Sequence, residues 1–152
     1  MDRIDLQILA RLQQDSNQPL AQLAQAVGLS ASACHRRIKL LEEAGAIGGY
    51  AARLDRTALG LTMELYVTVS LISQSNEALE GFERAVQSVP EILSCALLAG
   101  RADYLMHIAV RDMDDFERIH RQKLSRLPGV STMVTSFSLR RVKEFRGYPV
   151  GR

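Results

Sequence analysis

The sequence predicts an α+β chain of two unlike parts: an N-terminal winged helix-turn-helix domain and a C-terminal βαββαβ domain of ferredoxin-like layout. Three observations support this prediction. Apolar residues recur with helical spacing in the first third of the chain, whereas they alternate in several later segments. The order strand, helix, proline, strand occurs twice in the second part. Near the start, a glycine that ends one predicted helix is soon followed by a serine suited to cap the next.

Composition narrows the class of protein. The 152 residues are 47% hydrophobic and 24% charged, which is typical of a globular chain and excludes wholesale disorder. No apolar run approaches the ~20 residues of a membrane-spanning helix, and the charged start Met1–Asp5 precedes no signal-type apolar core. We therefore expect a cytoplasmic protein with no membrane partner. Cys34 and Cys95 form no zinc-type spacing with histidine, so we expect no metal site and no cofactor.

The predicted helix-turn-helix domain covers residues 1–48 and contains three helices. Each has an apolar face and a recognisable start or stop signal. The predicted helices are residues 4–12 with Asp2 as N-cap, a second with Pro19 in its first turn and Gly28 at its end, and a third from the N-cap Ser30 to Ala44, stopped by Gly45.

The third predicted helix has the pattern of a DNA-recognition helix. Its apolar residues Cys34, Ile38 and Leu41 point inward, and no acidic residue occurs between Ser16 and Glu42. Arginine and lysine on the outward face suit guanine edges and phosphates. The alternative is a plain three-helix bundle with a solvated basic face, but the coinciding cap, turn and charge pattern favours DNA binding. The candidate DNA-binding residues are Ser30, Ser32, His35, Arg36, Arg37 and Lys39.

A linker over residues 49–61 separates this domain from the second, which covers residues 62–152. An extended piece, Ala46–Leu54, and a helical turn, Asp55–Leu59, lead into it. The second domain is predicted to contain strands at Met63–Leu71, Ile92–Ala99, Tyr104–Val110 and Val130–Leu139, with one helix ending at Pro90 and another running from the cap Asp112 to Pro128. Both helices would cover one face of the sheet. The other face, which we expect to include Tyr66, Thr68, Cys95 and Leu97, would then need a partner.

Two sets of residues resemble the signatures of one known family. The first set begins with the run 23–30 and continues with Cys34, Arg36–Lys39, Leu41–Glu43, Gly45, Ile47, Gly49 and Tyr50. The second set is Gly100–Tyr104 and Leu127–Val130. Together they resemble the Lrp/AsnC, or feast/famine, transcriptional regulators over nearly the whole chain. The resemblance implies a regulator of transcription that binds operator DNA and responds to a free amino acid. It also implies a homodimer joined through its sheets, often assembled into a homo-octamer.

The resemblance also places an effector site in the second domain. Its residues would be Gly100, Arg101 and Asp103 in one loop and Thr135 and Ser136 on the last strand, at a contact between dimers. A carboxylate can accept hydrogen bonds from the effector's ammonium group, and loop amides can hold its carboxylate. Taken without the resemblance, the residues favour a simple hairpin turn in which Asp103 accepts local backbone hydrogen bonds.

Two other function classes stay open at this stage. A small ferredoxin-like enzyme would need an activated nucleophile, an acid–base pair or a metal. The sequence contains no G-x-S-x-G, phosphate loop, H-E-x-x-H or C-x-x-C motif, so we expect no enzyme. A module that senses a metabolite without binding DNA is the second alternative, and a DNA mobility-shift assay distinguishes it from a regulator.

Overall fold

The structure is a computed structural model that describes residues 1–150, which divide into two compact units. The helical unit contains Met1–Arg53 and the C-terminal tail, residues 142–150, whereas the sheet unit contains Leu54–Arg141. This division differs from the expected one, in which the second domain extends through residue 152. The tail belongs with the helices instead.

A pair of hydrogen bonds explains where the tail lies. The side-chain amide of Gln13 donates to the Tyr148 carbonyl at 2.7 Å and accepts from the Tyr148 amide at 2.9 Å. Gly147, next to this contact, has φ +116°, a backbone conformation that residues other than glycine rarely adopt. The two partners are 135 positions apart, so no local sequence pattern announces them.

Three helices form the rest of the helical unit: α1 (Arg3–Leu12), α2 (Leu20–Ala26) and α3 (Ala31–Glu43). The predicted caps Asp2 and Ser30 are confirmed, and Asp2 forms a capping box with Asp5. Gly28 ends α2 with φ +70°, as predicted. Pro19 is a correction: it occupies the N-cap position of α2 instead of the first turn and gives no side-chain hydrogen bond, because proline carries no polar side-chain atom.

Seven buried side chains form the core of the helical unit. They are Ile8, Leu23, Ala24, Val27, Cys34, Ile38 and Leu41. The three residues expected to point inward from α3 are among them. The segment after α3 differs from a winged domain: within the described residues 44–62 no strand forms. Gly49 has φ +146°, a conformation that a regular strand does not use, and glycine in any case weakens a strand.

The sheet unit has the predicted βαββαβ order. Its elements are β1 (Met63–Leu71), α4 (Asn76–Gln87), β2 (Ile92–Leu97), β3 (Tyr104–Val110), α5 (Met113–Gln122), a short 3-10 turn (Leu124–Arg126) and β4 (Val130–Phe137). All strand pairs are antiparallel, in the order β2-β3-β1-β4. Strands β2 and β4 each end two residues earlier than predicted, and the second helix passes into the 3-10 turn before Leu127. None of the helices in residues 1–150 has the length and apolar character of a membrane span.

One face of the sheet packs on the helices and holds the core. The inward residues of β1, from Leu65 to Leu71, alternate as predicted, and Phe82 of α4 packs on the Tyr104 ring at a centroid distance of 4.5 Å. The other face carries Tyr66 and Thr68, as expected, with Tyr66 39% exposed.

Cys95 and Leu97 do not lie on that open face. Cys95 pairs with Met106 and Leu97 with Tyr104, both of which are core residues, so the two side chains point toward the helices. The cause is an irregularity in β2 between Ile92 and Ser94, where the pairing shifts by one residue. A one-residue shift exchanges the two faces of a strand, and the sequence gives no sign of it.

Candidate functional site

The outward face of α3 carries four of the predicted DNA-binding residues. Ser32, His35, Arg36 and Lys39 are all exposed. They are spaced i, i+3, i+4 and i+7, so they lie along one side of the helix. Cys34, Ile38 and Leu41 fix the orientation of α3 because they are buried in the core of the helical unit.

Ser30 and Lys39 each have a partner within α3. The Ser30 hydroxyl accepts from the Ala33 amide at 3.2 Å, which makes it the N-cap. The Lys39 ammonium lies 2.8 Å from a Glu42 carboxylate oxygen, and this hydrogen bond raises the pKa of Lys39. The Lys39 side chain is still 57% exposed, so it can exchange this partner for a phosphate.

Arg37 is held by two carboxylates at the start of α1. One guanidinium nitrogen donates to Asp2 and to Asp5, each at 2.7 Å. The hydrogen bond that Arg37 donates to Asp5, followed by the one it donates to Asp2, raises the pKa of Arg37. The contact ties α3 to α1, which gives Arg37 a role in packing that the charge pattern alone does not show.

Arg36 and His35 contrast with Arg37. Neither forms an ion pair or side-chain hydrogen bond with any of residues 1–150. Of these two neighbouring arginines, Arg37 is therefore paired within the protein, whereas Arg36 is exposed to solvent.

In the sheet unit, Asp103 accepts one hydrogen bond from the last residue of β1 and one from the loop that follows β1. One carboxylate oxygen accepts from the Leu71 amide at 2.7 Å, and the other accepts from the Gln74 side-chain amide at 2.7 Å. The two donors are 32 and 29 positions away in the sequence, so Asp103 ties the start of β3 to the end of β1 and does not show the local backbone hydrogen bonds of a simple hairpin turn. Gly100 and Arg101 are exposed beside it.

Thr135 and Ser136 lie on opposite faces of β4. Thr135 pairs with the buried residue Val67, so it points toward the helices. Ser136 pairs with Tyr66, so it points to the open face. Only Ser136 therefore offers its hydroxyl on the open sheet face.

The strand register separates these residues from Asp103. Tyr104 pairs with Val69, which places Asp103 level with the next residue of β1, Ser70. Ser70 pairs with Thr132, four residues before Ser136, a separation of roughly 13 Å along the strand. A single copy of the chain does not bring the two predicted halves of the effector site together.

A cluster around Glu64 was missed in the sequence analysis. Glu64 is only 4% exposed although it lies on the open face of β1. Its carboxylate contacts His107 at 3.0 Å, Arg56 at 3.4 Å and Arg141. Burial opposes its charge, but the hydrogen bond from His107 and the charge of Arg141 outweigh burial, so the pKa of Glu64 lies below its usual range. The partners are scattered along the sequence, and in the alternating pattern Glu64 is one more outward polar residue.

Comparisons with known proteins cover both units. Residues 1–42 match the AsnC-type helix-turn-helix domain, and residues 64–148 match the Lrp/AsnC ligand binding domain. The Bkd operon transcriptional regulator of Pseudomonas aeruginosa is 38% identical over 142 residues, 93% of each chain. The leucine-responsive regulatory protein of Escherichia coli is 36% identical over 95% of this chain and 88% of its own.

A solved structure extends the likeness to three dimensions. A transcriptional regulator from Neisseria meningitidis in complex with L-methionine superposes with a TM-score of 0.92. It is 34% identical, and the match covers 98% of this chain and 96% of that one. The paired domain matches, the identities over nearly full length and the shared fold together show that the chain belongs to the Lrp/AsnC family of DNA-binding transcriptional regulators.

Proposed function

We propose that this regulator reads operator DNA with the outward face of α3, and that a free amino acid bound to the sheet unit changes how tightly it does so. The observation that carries the DNA part is the exposure of Ser32, His35, Arg36 and Lys39 on a capped helix. The buried face of the same helix fixes the direction in which they point.

The contacts of each side chain suggest its role on DNA. Arg36 has no partner among residues 1–150, so its guanidinium is available for a guanine edge or a phosphate. Ser32 and His35 are nearer the start of α3, the end that enters the major groove in this motif. Lys39 contacts phosphate. Ser30 and Arg37 hold the helix in place, since their polar atoms are engaged by Ala33, Asp2 and Asp5.

The amino-acid effector is proposed by analogy with two relatives. The Neisseria regulator was crystallised with L-methionine, and the Escherichia coli relative is named for leucine. We place the effector at the loop Gly100–Asp103, with Asp103 shaping that loop through Leu71. Ser136 and Thr135 contribute from another copy of the chain, because one copy keeps them apart from Asp103.

Assembly follows from the open face of the sheet. Tyr66 on β1 exposes 39% of its surface there, and β1 lies between β3, which carries Leu105, and β4, which carries the 60% exposed Val134. Apolar groups on a sheet face favour a partner, and a two-fold dimer places two recognition helices on paired half-sites. We propose a homodimer, further assembled into a homo-octamer. Since a regulator must reach DNA inside the cell, we place the protein in the cytoplasm. Since its family consists of transcriptional regulators, we assign it no catalytic activity.

The DNA part is tested with duplexes selected from a random pool by the wild-type protein. The Arg36→Ala/Lys39→Ala double variant should bind them much more weakly, and Lys39→Ala alone should lower the salt slope by ~1. Arg3→Ala is a matched control, because it removes one exposed arginine from α1 instead of α3. Unchanged affinity and unchanged slope in the double variant would contradict the assignment.

The effector part is tested by calorimetry of the wild-type protein with each of the proteinogenic L-amino acids. One or a few should bind and should also change the affinity for the selected duplex. If none binds, or if binding leaves DNA affinity unaltered, the sheet unit does not respond to amino acids.

A further inference from the structure

We propose that Glu64 is the anchor by which the sheet unit holds both chain segments that lead to the helical unit, and that this anchor transmits the amino-acid response to them. This inference rests on the proposed function. It concerns how the response is transmitted, and it names residues outside the proposed DNA and effector sites.

The segment that enters the sheet unit is held by Arg56. Its guanidinium lies 3.4 Å from Glu64 and also donates to the carbonyls of Leu61 at 2.6 Å and Thr62 at 2.8 Å. The Thr62 hydroxyl in turn donates to the Arg111 carbonyl at the end of β3. The turn before β1 is therefore closed on Glu64 by charge and by hydrogen bonds.

The segment that leaves the sheet unit is held by Arg141, the last residue of that unit. Its guanidinium donates to the same Glu64 oxygen that contacts His107. The Ser138 amide also donates to the main-chain carbonyl of Glu64 at 2.8 Å. Both connections between the two units thus end on one residue.

His107 links this anchor to the strand that starts at the proposed effector loop. It lies on β3, three residues after Tyr104, and its ring stacks on Tyr66 with centroids 4.9 Å apart and planes 13° from parallel. Asp103 immediately precedes the same strand. A shift of β3 on ligand binding would therefore move a partner of Glu64 directly.

The charges make the anchor sensitive to small changes. One carboxylate, 4% exposed, faces two guanidiniums and an imidazole, so the partners compete for a single negative group. Losing a partner of a buried ion is costly, because the charge left behind is poorly solvated. A cluster of this kind has a small number of well-defined arrangements, which is what a coupling between two sites requires.

The test measures affinity for the selected duplex with and without the amino acid that binds the wild-type protein best. Arg141→Gln and Glu64→Gln should each bind amino acid and DNA separately, while the ligand-induced change in DNA affinity falls from at least about fivefold to less than about twofold. Arg140→Gln is the matched control: it is the adjacent arginine, exposed, with no ion pair among residues 1–150, and it should keep the wild-type response.

Each outcome bears on the proposal. A wild-type response in Arg141→Gln and Glu64→Gln would overturn it. So would loss of amino-acid binding in Arg141→Gln, which would make the cluster part of the ligand site. A thermal unfolding scan keeps the result interpretable if Glu64→Gln is unstable, because Arg141→Gln leaves Glu64 its contacts with His107 and Arg56 and should remain folded at the temperature of the binding assay. A wild-type protein that responds to no amino acid overturns the proposed function itself, which is a distinct result.

Discussion

The helical and sheet units use their polar side chains in different ways. On α3, Ser32, His35 and Arg36 point away from a small apolar core. Within residues 1–150 their one side-chain hydrogen bond is the 3.2 Å contact between the Ser32 and Ser30 hydroxyls. In the sheet unit, Asp103 and Glu64 are bound to other parts of the chain at distances from 2.7 to 3.4 Å. The first arrangement presents groups to an outside partner, whereas the second holds loops and connecting segments in position.

This difference indicates where recognition and transmission take place. Unpaired groups on a rigid helix lose little when they meet DNA, because few internal bonds are broken. Groups already paired inside the protein change partners only when the structure around them moves, which suits a ligand response. The following predictions test this division between the units.

The largest effect is expected from removing a core side chain of the helical unit. Ile8 is fully buried in a core of seven residues, so Ile8→Ala should cost about 2–5 kcal/mol of unfolding free energy. Hydrogen exchange should then show faster exchange in α1, α2 and α3, with protection kept in the strands. Leu40→Ala, at a position 54% exposed, is the control and should change little. Equal loss of protection in β1 and β3 would show that the two cores unfold as one.

A pair of neighbouring arginines tests whether contacts inside the protein distinguish the two roles on α3. Arg36→Ala should lose about 1–3 kcal/mol of DNA-binding free energy and leave thermal stability unchanged. Arg37→Ala should lower the unfolding temperature, since Asp2 and Asp5 lose their shared partner. Mobility-shift titrations and thermal unfolding of both variants give the comparison. If Arg36→Ala lowered the unfolding temperature and Arg37→Ala weakened DNA binding instead, Arg37 would be the DNA contact and Arg36 the stabilising residue.

The helices and strands themselves were largely predictable from the sequence. The N-caps Asp2, Ser30 and Asp112 and the stop at Gly28 are local signals that involve residues a few positions apart, and all four are confirmed. Strand β3 begins and ends where its apolar run does. The family resemblance is likewise confirmed, because two motif sets in the correct order are specific to it.

What the sequence did not predict depends on pairing between distant segments. The placement of Cys95 and Leu97 failed at an irregularity in β2, which changes the face of every later residue of that strand. The contacts of Arg37 and Glu64 join separate elements, and a side chain's charge does not indicate which partner the fold will bring to it. The roles of individual residues in binding DNA and the effector stay predictions, because they depend on molecules outside the chain.

The next prediction concerns whether the Asp103 carboxylate stabilises the fold, binds the ligand, or does both. Asp103→Ala leaves the Leu71 amide without its acceptor, which should cost about 1–3 kcal/mol of unfolding free energy even without ligand. Gln74→Ala, which removes only the side-chain donor, should cost less. Urea unfolding of both variants measures this. Calorimetry then asks whether Asp103→Ala still binds the amino acid; undiminished affinity would show that the ammonium group is held elsewhere.

The smallest effect concerns pH and the start of α1. The Asp2 carboxylate accepts from the Asp5 and Ile4 amides and from Arg37, and the hydrogen bond from Asp5, followed by that from Arg37, lowers the pKa of Asp2 below its ordinary value of 3.8. A carboxyl group whose pKa is lowered on folding adds stability above its unfolded pKa, and that stability is lost as pH falls through the folded pKa. Asp2→Ala should therefore unfold at a lower urea concentration than wild type at neutral pH. The difference in unfolding free energy between wild type and Asp2→Ala should narrow below pH 3.8, as the wild-type carboxylate becomes protonated.

Hydrogen exchange of α1 is the appropriate measurement for this small effect, because it reports the helical unit separately from the sheet unit. Glu43→Ala is the control: it removes an exposed carboxylate from the end of α3, with no ion pair among residues 1–150, and its effect should not follow the same pH dependence. If the stability difference between wild type and Asp2→Ala were constant from neutral to acid pH, the Asp2 side chain would stabilise the helix as a hydrogen-bond acceptor whether or not it is charged. The tie from Arg37 would then rest on Asp5, the less exposed of its two carboxylates, at 16% against 53% for Asp2.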